Sequence, residues 1–405
     1  MKEDFLQVIW QMQCFSLPAL STEGQSIQII RPGTRNFSGG PDFSNARIHM
    51  DGLEWNGSVE IHVRSGDWKQ HGHSSDPAYE TVILHVVWEE DQPLFRKDGS
   101  RIATLELRER VSLSGLLRYR ELVSSSETLP CRNFLGRMNV LIPESMLDLA
   151  LAERLVRRAE EILRFYENQA FSWKRALALH LARCLGMKGN EDAMESLVRS
   201  LPHILLSRSD RGKQQILAWL LGMSGLGFFP EEASLSEIFR FQQNTYPTDL
   251  PPLIWKKSGM RPGAFPRKRI HLLAGLLPEL DNFLEILQKG SEADGENTWS
   301  GQPELRPGTF LHSHLMLNFQ APAMVAFGLH SGRHEMNQKA LDELHRLKPE
   351  ENENSRLLKT SGIPMRTAGH SQGGKELYRN WCIPRRCTDC RIGREILKRD
   401  LTSAE

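Results

Sequence analysis

The run Val82-Ile83-Leu84-His85-Val86-Val87 is apolar at every position but one. A strand of this kind is covered on both faces, which places it near the centre of a sheet with other elements packed over it. Three further strand-like runs precede it: SIQIIR at 26–31, FSNARIHM at 43–50 and GSVEIHV at 57–63, separated by Gly, Pro, Asp and Asn. Phe5, Val8, Ile9 and Met12 recur at helical spacing, so a short amphipathic helix over 3–13 opens the chain and is expected to lie against the sheet. The expected order is helix, three strands, a short polar segment, then the fourth strand. Asp98-Gly99 predicts a turn between PLFRK and RIATLEL, which would extend the sheet to about residue 108.

Beyond SSSETLP at 124–130, which reads as a linker, helix signals dominate. The stretch 144–167 is rich in Leu, Ala, Glu and Arg, and further helices are expected at 171–185, 190–200, 212–223, 233–243, 266–287 and 334–347. The fold class that follows is α+β. A domain over 1–123 carries a mixed N-terminal β-sheet with flanking helices, and a mainly α-helical domain spans 131–405. A chain of 405 residues exceeds what one core usually supports, which agrees with at least two units.

Lysine and arginine total 51 against 50 acidic residues, so any nucleic-acid surface has to be local. The opening MKEDFLQVIWQMQCF is too acidic and too short for a signal peptide. No run of about 18 apolar residues offers a membrane span, and a cytoplasmic location is expected.

The chemistry concentrates between Asp42 and His85. Asp42 opens the second strand, while Glu60 and His62 share one face of the third because side chains alternate with a period of two. Two carboxylates and an imidazole then converge, a set suited to Mg²⁺ or Mn²⁺ with a neighbouring group orienting water. His71 and His73 follow in DWKQHGHSSD and, with His62 and His85, make an imidazole-rich set better suited to Zn²⁺ or Mn²⁺. The bland alternative is a half-buried strand histidine beside a solvated turn.

Pro41-Asp42 and Glu60-Ile61-His62, in that order of elements, resemble the core of the PD-(D/E)xK nuclease superfamily. The resemblance implies a restriction-endonuclease-like core, a divalent ion held by Asp42 and Glu60, and hydrolysis of DNA or RNA phosphodiesters. His71 or His73 would assist. His62 stands where that superfamily has lysine, and an imidazole is not a dependable cation at neutral pH. The competing expectation is therefore a non-catalytic binding or scaffold protein with a degenerate core and a structural metal site. A metal hydrolase of another substrate is a third.

Cys382, Cys387 and Cys390 crowd into the tail, close enough to hold one ion or cluster with a fourth ligand from elsewhere. Cys131 is the preferred fourth, with Cys14 as competitor, and zinc and a four-iron, four-sulfur cluster are both open. Some nucleases of the same superfamily are similar in plan, with one upstream and three C-terminal cysteines on such a cluster, at different spacing. Cys184 lies among Leu181, Ala182 and Leu185 and reads as core. The basic stretch 261–271, with Trp255 and Phe265, and the tail residues Arg385, Arg386, Arg391 and Arg394 are candidate phosphate contacts, although a solvated basic face is the commoner outcome. His312 and His314 lack a local carboxylate or thiol partner.

The runs GPDFSNARI, GSVEIHVRSGDWKQHGH, AYETVILHVVW, MRPGAFPRKRIHLLAGLL and WCIPRRCTDCRIG are together similar to a bacterial family defined by a domain of unknown function. That resemblance implies that Asp42, Glu60, His62, Asp67, Trp68, His71 and His73 fall in the family's N-terminal motif. Cys131 and the tail cysteines match its pattern too. Gly263-Ala264 departs from it, where a bulkier polar residue is usual.

Overall fold

The computed structural model describes residues 2–16, 19–36, 39–170, 172–207, 212–289, 305–306 and 309–402. The chain is α+β and divides into two compact units. The first comprises 1–147, 353–364 and 375–405; the second comprises 148–352 and 365–374. The first unit thus differs from the linear 1–123 division: the helix after the linker begins in it, and the cysteine-bearing tail returns to it.

In the first unit α1 (Glu3–Met12) buries Phe5, Leu6, Val8, Ile9 and Trp10 and packs against the central strands. The sheet is built from β1 (Ala19–Leu20), β2 (Ser26–Arg31), β3 (Thr34–Arg35), β4 (Phe43–Met50), β5 (Leu53–Arg64), β6 (Val82–Glu89) and β7 (Thr104–Glu106). Its order is β1-β2-β4-β5-β6-β7, with β3 paired to β4 off that path. The pairs up to β4·β5 are antiparallel, while β5·β6 and β6·β7 are parallel. A parallel pair needs a crossover, supplied here by α2 (Asp67–Gln70) and a 3₁₀ turn, Pro77–Thr81. β6 is flanked on both sides, though only the three-residue β7 separates it from the edge, and as its composition demands Val82 to Val87 are all buried.

The expected hairpin over 93–107 forms its turn, with the Arg96 N–H donating to the Ser100 carbonyl at 2.7 Å, but only Phe95 and Arg101 pair as a bridge. Thr104–Glu106 instead joins β6 in parallel, so the sheet gains one strand where the pattern predicts two. Then α3 (Leu113–Ser124), absent from the expected elements, is capped by Ser112 and packs on both α1 and the tail. Tyr119 stacks on Phe5 at 4.2 Å, and the C-terminal helix α17 (Arg391–Thr402) lies on α3. The remaining helices of this unit are α4 (Arg132–Leu135), α15 (Glu353–Thr360) and α17 (Arg391–Thr402).

The second unit is helical. Its elements are most of α5 (Leu141–Asn168), α6 (Trp173–Ser200), α7 (His203–Ser207), α8 (Gly212–Met223), α9 (Ala233–Thr245), α10 (Pro266–Leu276), α11 (Leu280–Lys289), α12 (Phe310–Leu315), α13 (Ala321–Ser331), α14 (His334–Arg346) and the start of α16 (Ala368–Leu377). Non-helical angles at Met187–Gly189 interrupt α6, with Gly189 at φ 108°, which matches the expected break between its two halves. One core of Leu, Ala, Ile and Phe side chains, with Trp219 fully buried in it, holds these helices together. Among the described residues no helix is long and apolar enough to cross a membrane.

Candidate metal centre

Antiparallel pairing of Phe43 with Val59 sets Asp42 at the mouth of β4, beside Glu60 of β5. The Asp42 N–H donates to Glu60 Oε2 at 2.9 Å, and the Asp42 carboxylate accepts from the Ile61 N–H at 3.1 Å and from Gln7 Nε2 at 2.8 Å. These bonds orient both carboxylates. They also turn Asp42 toward the backbone, leaving Glu60 Oε1 to face the histidines.

The period of two brings Glu60 and His62 to one face, and the parallel register pairs Glu60 with His85. His62 Nδ1 meets His85 Nε2 at 2.8 Å, which leaves His62 Nε2 pointing away from the strand toward His71 Nδ1, 3.2 Å distant. His71 and His73 are delivered by the turn after β5. That turn is anchored where Ser65 Oγ and the Gly66 N–H both donate to Asp91 Oδ1 at 2.8 Å, and where Asp67 accepts from the Arg64 N–H. Gly66 admits this approach because a Cβ would stand 2.5 Å from Gln92 Nε2. Trp68, buried with Val82, Leu94 and Ile102, meets the rings of His62, His73 and His85 edge-on, and Tyr79 stacks on His73 at 3.7 Å.

The ligand atoms of His62, His71 and His73 all lie within 4.8 Å of one another. Glu60 Oε1 adds a fourth donor, 3.5 Å from His62 Nε2 and 3.3 Å from His73 Nε2. Neighbouring donors on a tetrahedral ion with bonds of about 2.0–2.1 Å stand about 3.3–3.4 Å apart, and the Glu60–His62, Glu60–His73 and His62–His71 separations match that edge. Electrostatics point the same way. Burial and then the Asp42 carboxylate push Glu60 up to about 8, and burial with the surrounding imidazoles pushes His62 down to about 2. A divalent cation would relieve the carboxylate repulsion and uses imidazole in the neutral form that burial enforces.

Of the predicted residues, Glu60, His62, His71 and His73 come together, with Asp42 behind Glu60 and His85 behind His62. Asp67 is directed to its own turn. Gln7 and Tyr79 belong to the site but carried no signal in the sequence. A cleft of about 440 Å³ opens beside His73, lined by Trp68, Asp76, Tyr79, Phe95 and Arg96 among others. The Arg96 guanidinium is held by the Val82 and Arg101 carbonyls and Lys97 by Glu80, so the cleft offers aromatic surface more than positive charge.

The second predicted centre gathers Cys131, Cys382, Cys387 and Cys390 within the first unit, all unpaired as disulfides. Burial raises all four thiols, and each also feels its neighbours or nearby backbone and charges: Cys131 reaches about 12 and Cys387 about 11. Cys14 is buried apart, with its Sγ near the Met12 carbonyl and none of these thiols among the causes of its shift. Cys184 lies in the helical core as expected. A single zinc with bonds of about 2.3 Å draws sulfur pairs to about 3.8 Å. Here no three of the four sulfurs lie within 4.8 Å of one another. Several residues of the basic stretches are tied into the fold: Arg267 pairs with Glu232, Arg269 is buried, Arg385 donates to the Ser125 and Glu127 carbonyls, Arg391 to that of Ser145, and Arg394 to that of Thr388. His314 Nε2 donates to the Cys184 carbonyl at 2.9 Å, within the helical core.

Residues 3–299 match the model of a family described as a protein of unknown function, DUF2851. The chain belongs to the DUF2851 family. The matched span contains Asp42, Glu60, all four histidines of the first centre and Cys131, and it stops short of Cys382, Cys387 and Cys390. No curated protein and no solved structure matches this DUF2851 chain significantly.

Proposed function

We propose that this DUF2851 protein is a metal-dependent hydrolase of the nuclease type, acting on phosphodiesters. The observation that carries the reading is the convergence of Glu60 Oε1 and His62 Nε2 of β5 with His71 Nδ1 and His73 Nε2 of the turn after it, beside the parallel β5·β6 pair. When bound, a divalent ion supplies Lewis acidity toward a phosphoryl oxygen. The chain's own part is to hold the donors. Asp42 fixes the Glu60 carboxylate, His85 fixes the tautomer of His62, and Trp68 with Tyr79 fixes His73. The nitrogen-rich set favours a late first-row ion or manganese over magnesium.

One observation favours a second reading, a non-catalytic protein with a structural ion. Four protein donors close a tetrahedral zinc site, whereas a five- or six-coordinate ion keeps positions for water and substrate. Metal content of the purified protein, with cleavage of labelled single- and double-stranded DNA and RNA in Mn²⁺, separates the two. Cleavage lost in Glu60→Ala and His73→Ala supports the hydrolase. Tightly held zinc without cleavage supports the scaffold.

The cysteine quartet is a donor set for an iron–sulfur cluster or a zinc ion, and we take the cluster as the reading to test. Iron and sulfide in anaerobically purified protein, absent from Cys387→Ser, is the expected result; zinc in their place overturns it.

A further inference from the structure

The helical unit contains a second group of metal-ligating side chains. Asp148 stands near the start of α5, His345 in the last turn of α14 and His370 in the first turn of α16, and their ligand atoms all lie within 4.8 Å of one another. Residues this far apart in sequence meet because two connections fasten the ends of α14 and α16: the Ala368 N–H donates to the Leu347 carbonyl at 2.9 Å, and the Glu350 N–H to Ser371 Oγ at 3.1 Å.

The details are those of a built site. His345 Nε2 stands 3.5 Å from Asp148 Oδ1, about the edge of a tetrahedron around a zinc-like ion. Its other nitrogen, Nδ1, lies 3.1 Å from Thr367 Oγ1, the same oxygen that accepts from the His370 N–H at 3.1 Å. One hydroxyl therefore orients His345 and ties down the backbone of His370, the arrangement that fixes metal-binding imidazoles elsewhere. Gly369 makes room for the ring: a Cβ there would stand 2.9 Å from His345 Cε1. His345 also lies at a helix C-terminus, where positive charge is favoured. His370 Nδ1 accepts a long 3.3 Å contact from the Arg366 N–H.

We propose that Asp148, His345 and His370 form a second divalent-metal site, a two-imidazole, one-carboxylate set for zinc or a similar first-row ion. Three protein donors leave a position for solvent, and the exposed Asp148 side opens to it. The site is independent of Glu60 and its histidines, so it stands whether or not the first centre hydrolyses anything.

The test uses full-length protein stripped with a chelator, reloaded with Zn²⁺, desalted and assayed for metal. Asp148→Asn and His345→Gln are each expected to hold one equivalent fewer than wild type, and Glu60→Ala with either of them to lose zinc additively. Thr367→Val should bind the same number with roughly 10–100-fold weaker affinity for one of them. Asp148 is largely solvent-exposed, so Asp148→Asn carries the test even if His345→Gln fails to fold. Equal zinc in wild type and folded Asp148→Asn overturns the proposal.

Discussion

Arg35 Nη1 donates to Asp389 Oδ1 at 2.6 Å, joining strand β3 to the loop between Cys387 and Cys390. The same guanidinium donates through Nη2 to Gln7 Oε1, and Gln7 Nε2 donates to Asp42. A continuous run of hydrogen bonds thus leads from the cysteine loop to the side chain of Asp42, whose backbone N–H orients Glu60. Each link lies in the first unit, and the arginine is largely buried, so the run is short of competing water.

Asp389→Asn weakens the charge-assisted bond and frees Gln7 to drift from Asp42. Orienting partners of this kind are worth roughly 10–100-fold in metal affinity. The expected outcome is weaker metal binding at the Glu60 centre with the cysteine centre still loaded. Titration of Asp389→Asn and wild type with Mn²⁺ or Zn²⁺ reads the difference, and equal affinities would show the chain of bonds to be mechanically idle.

Metal-free protein should be most stable near neutral-to-slightly-acid pH. Glu60 is raised by burial and Asp42 to about 8, so between about 4.5 and 8 the folded state holds a proton that the unfolded state releases, and stability falls as pH rises. His85 and His180 are pushed down by burial to about 3, so below about 6.5 the unfolded state binds protons that the folded state refuses, and stability falls as pH drops. Each group contributes up to about 1.4 kcal/mol per pH unit within its window. Chemical denaturation in chelator from pH 5 to 8.5 should show both limbs. Glu60→Gln should flatten the alkaline limb alone, and saturating metal should reverse it.

The strands that shape the first centre were legible because alternation and a continuous apolar run leave few other ways to bury them. β2 and β4 coincide with their predicted spans. β1 and β3 are two residues each, too short for any periodicity to register. The Asp98-Gly99 turn is visible in the sequence, but its second arm pairs with β6, a choice made by tertiary pairing and invisible locally. Among site residues, His62, His71 and His73 were readable from spacing. The inward turn of Asp42 was not, because it depends on Gln7, 35 positions away on another element. Asp389 and Arg35 are 354 positions apart, and the Asp148, His345 and His370 group spans three helices, so neither leaves a local pattern.

The sharpest test of the cysteine loop is Gly393→Ala. A Cβ at this position would lie 2.0 Å from the Cys387 carbonyl oxygen, and that neighbour is backbone, which cannot swing aside as a side chain can. Relief requires the loop 387–390 to move away from α17, which carries Cys387 and Cys390 out of register with Cys131 and Cys382. Removing a single methyl-sized clearance should therefore act like removing a ligand. Gly393→Ala is expected to lose the bound iron and sulfide, or zinc, as fully as Cys387→Ser, while the Glu60 centre loads metal at no less than the Asp389→Asn level. Full retention of metal at the cysteines in folded Gly393→Ala would mean that the quartet tolerates a looser loop than its close packing implies.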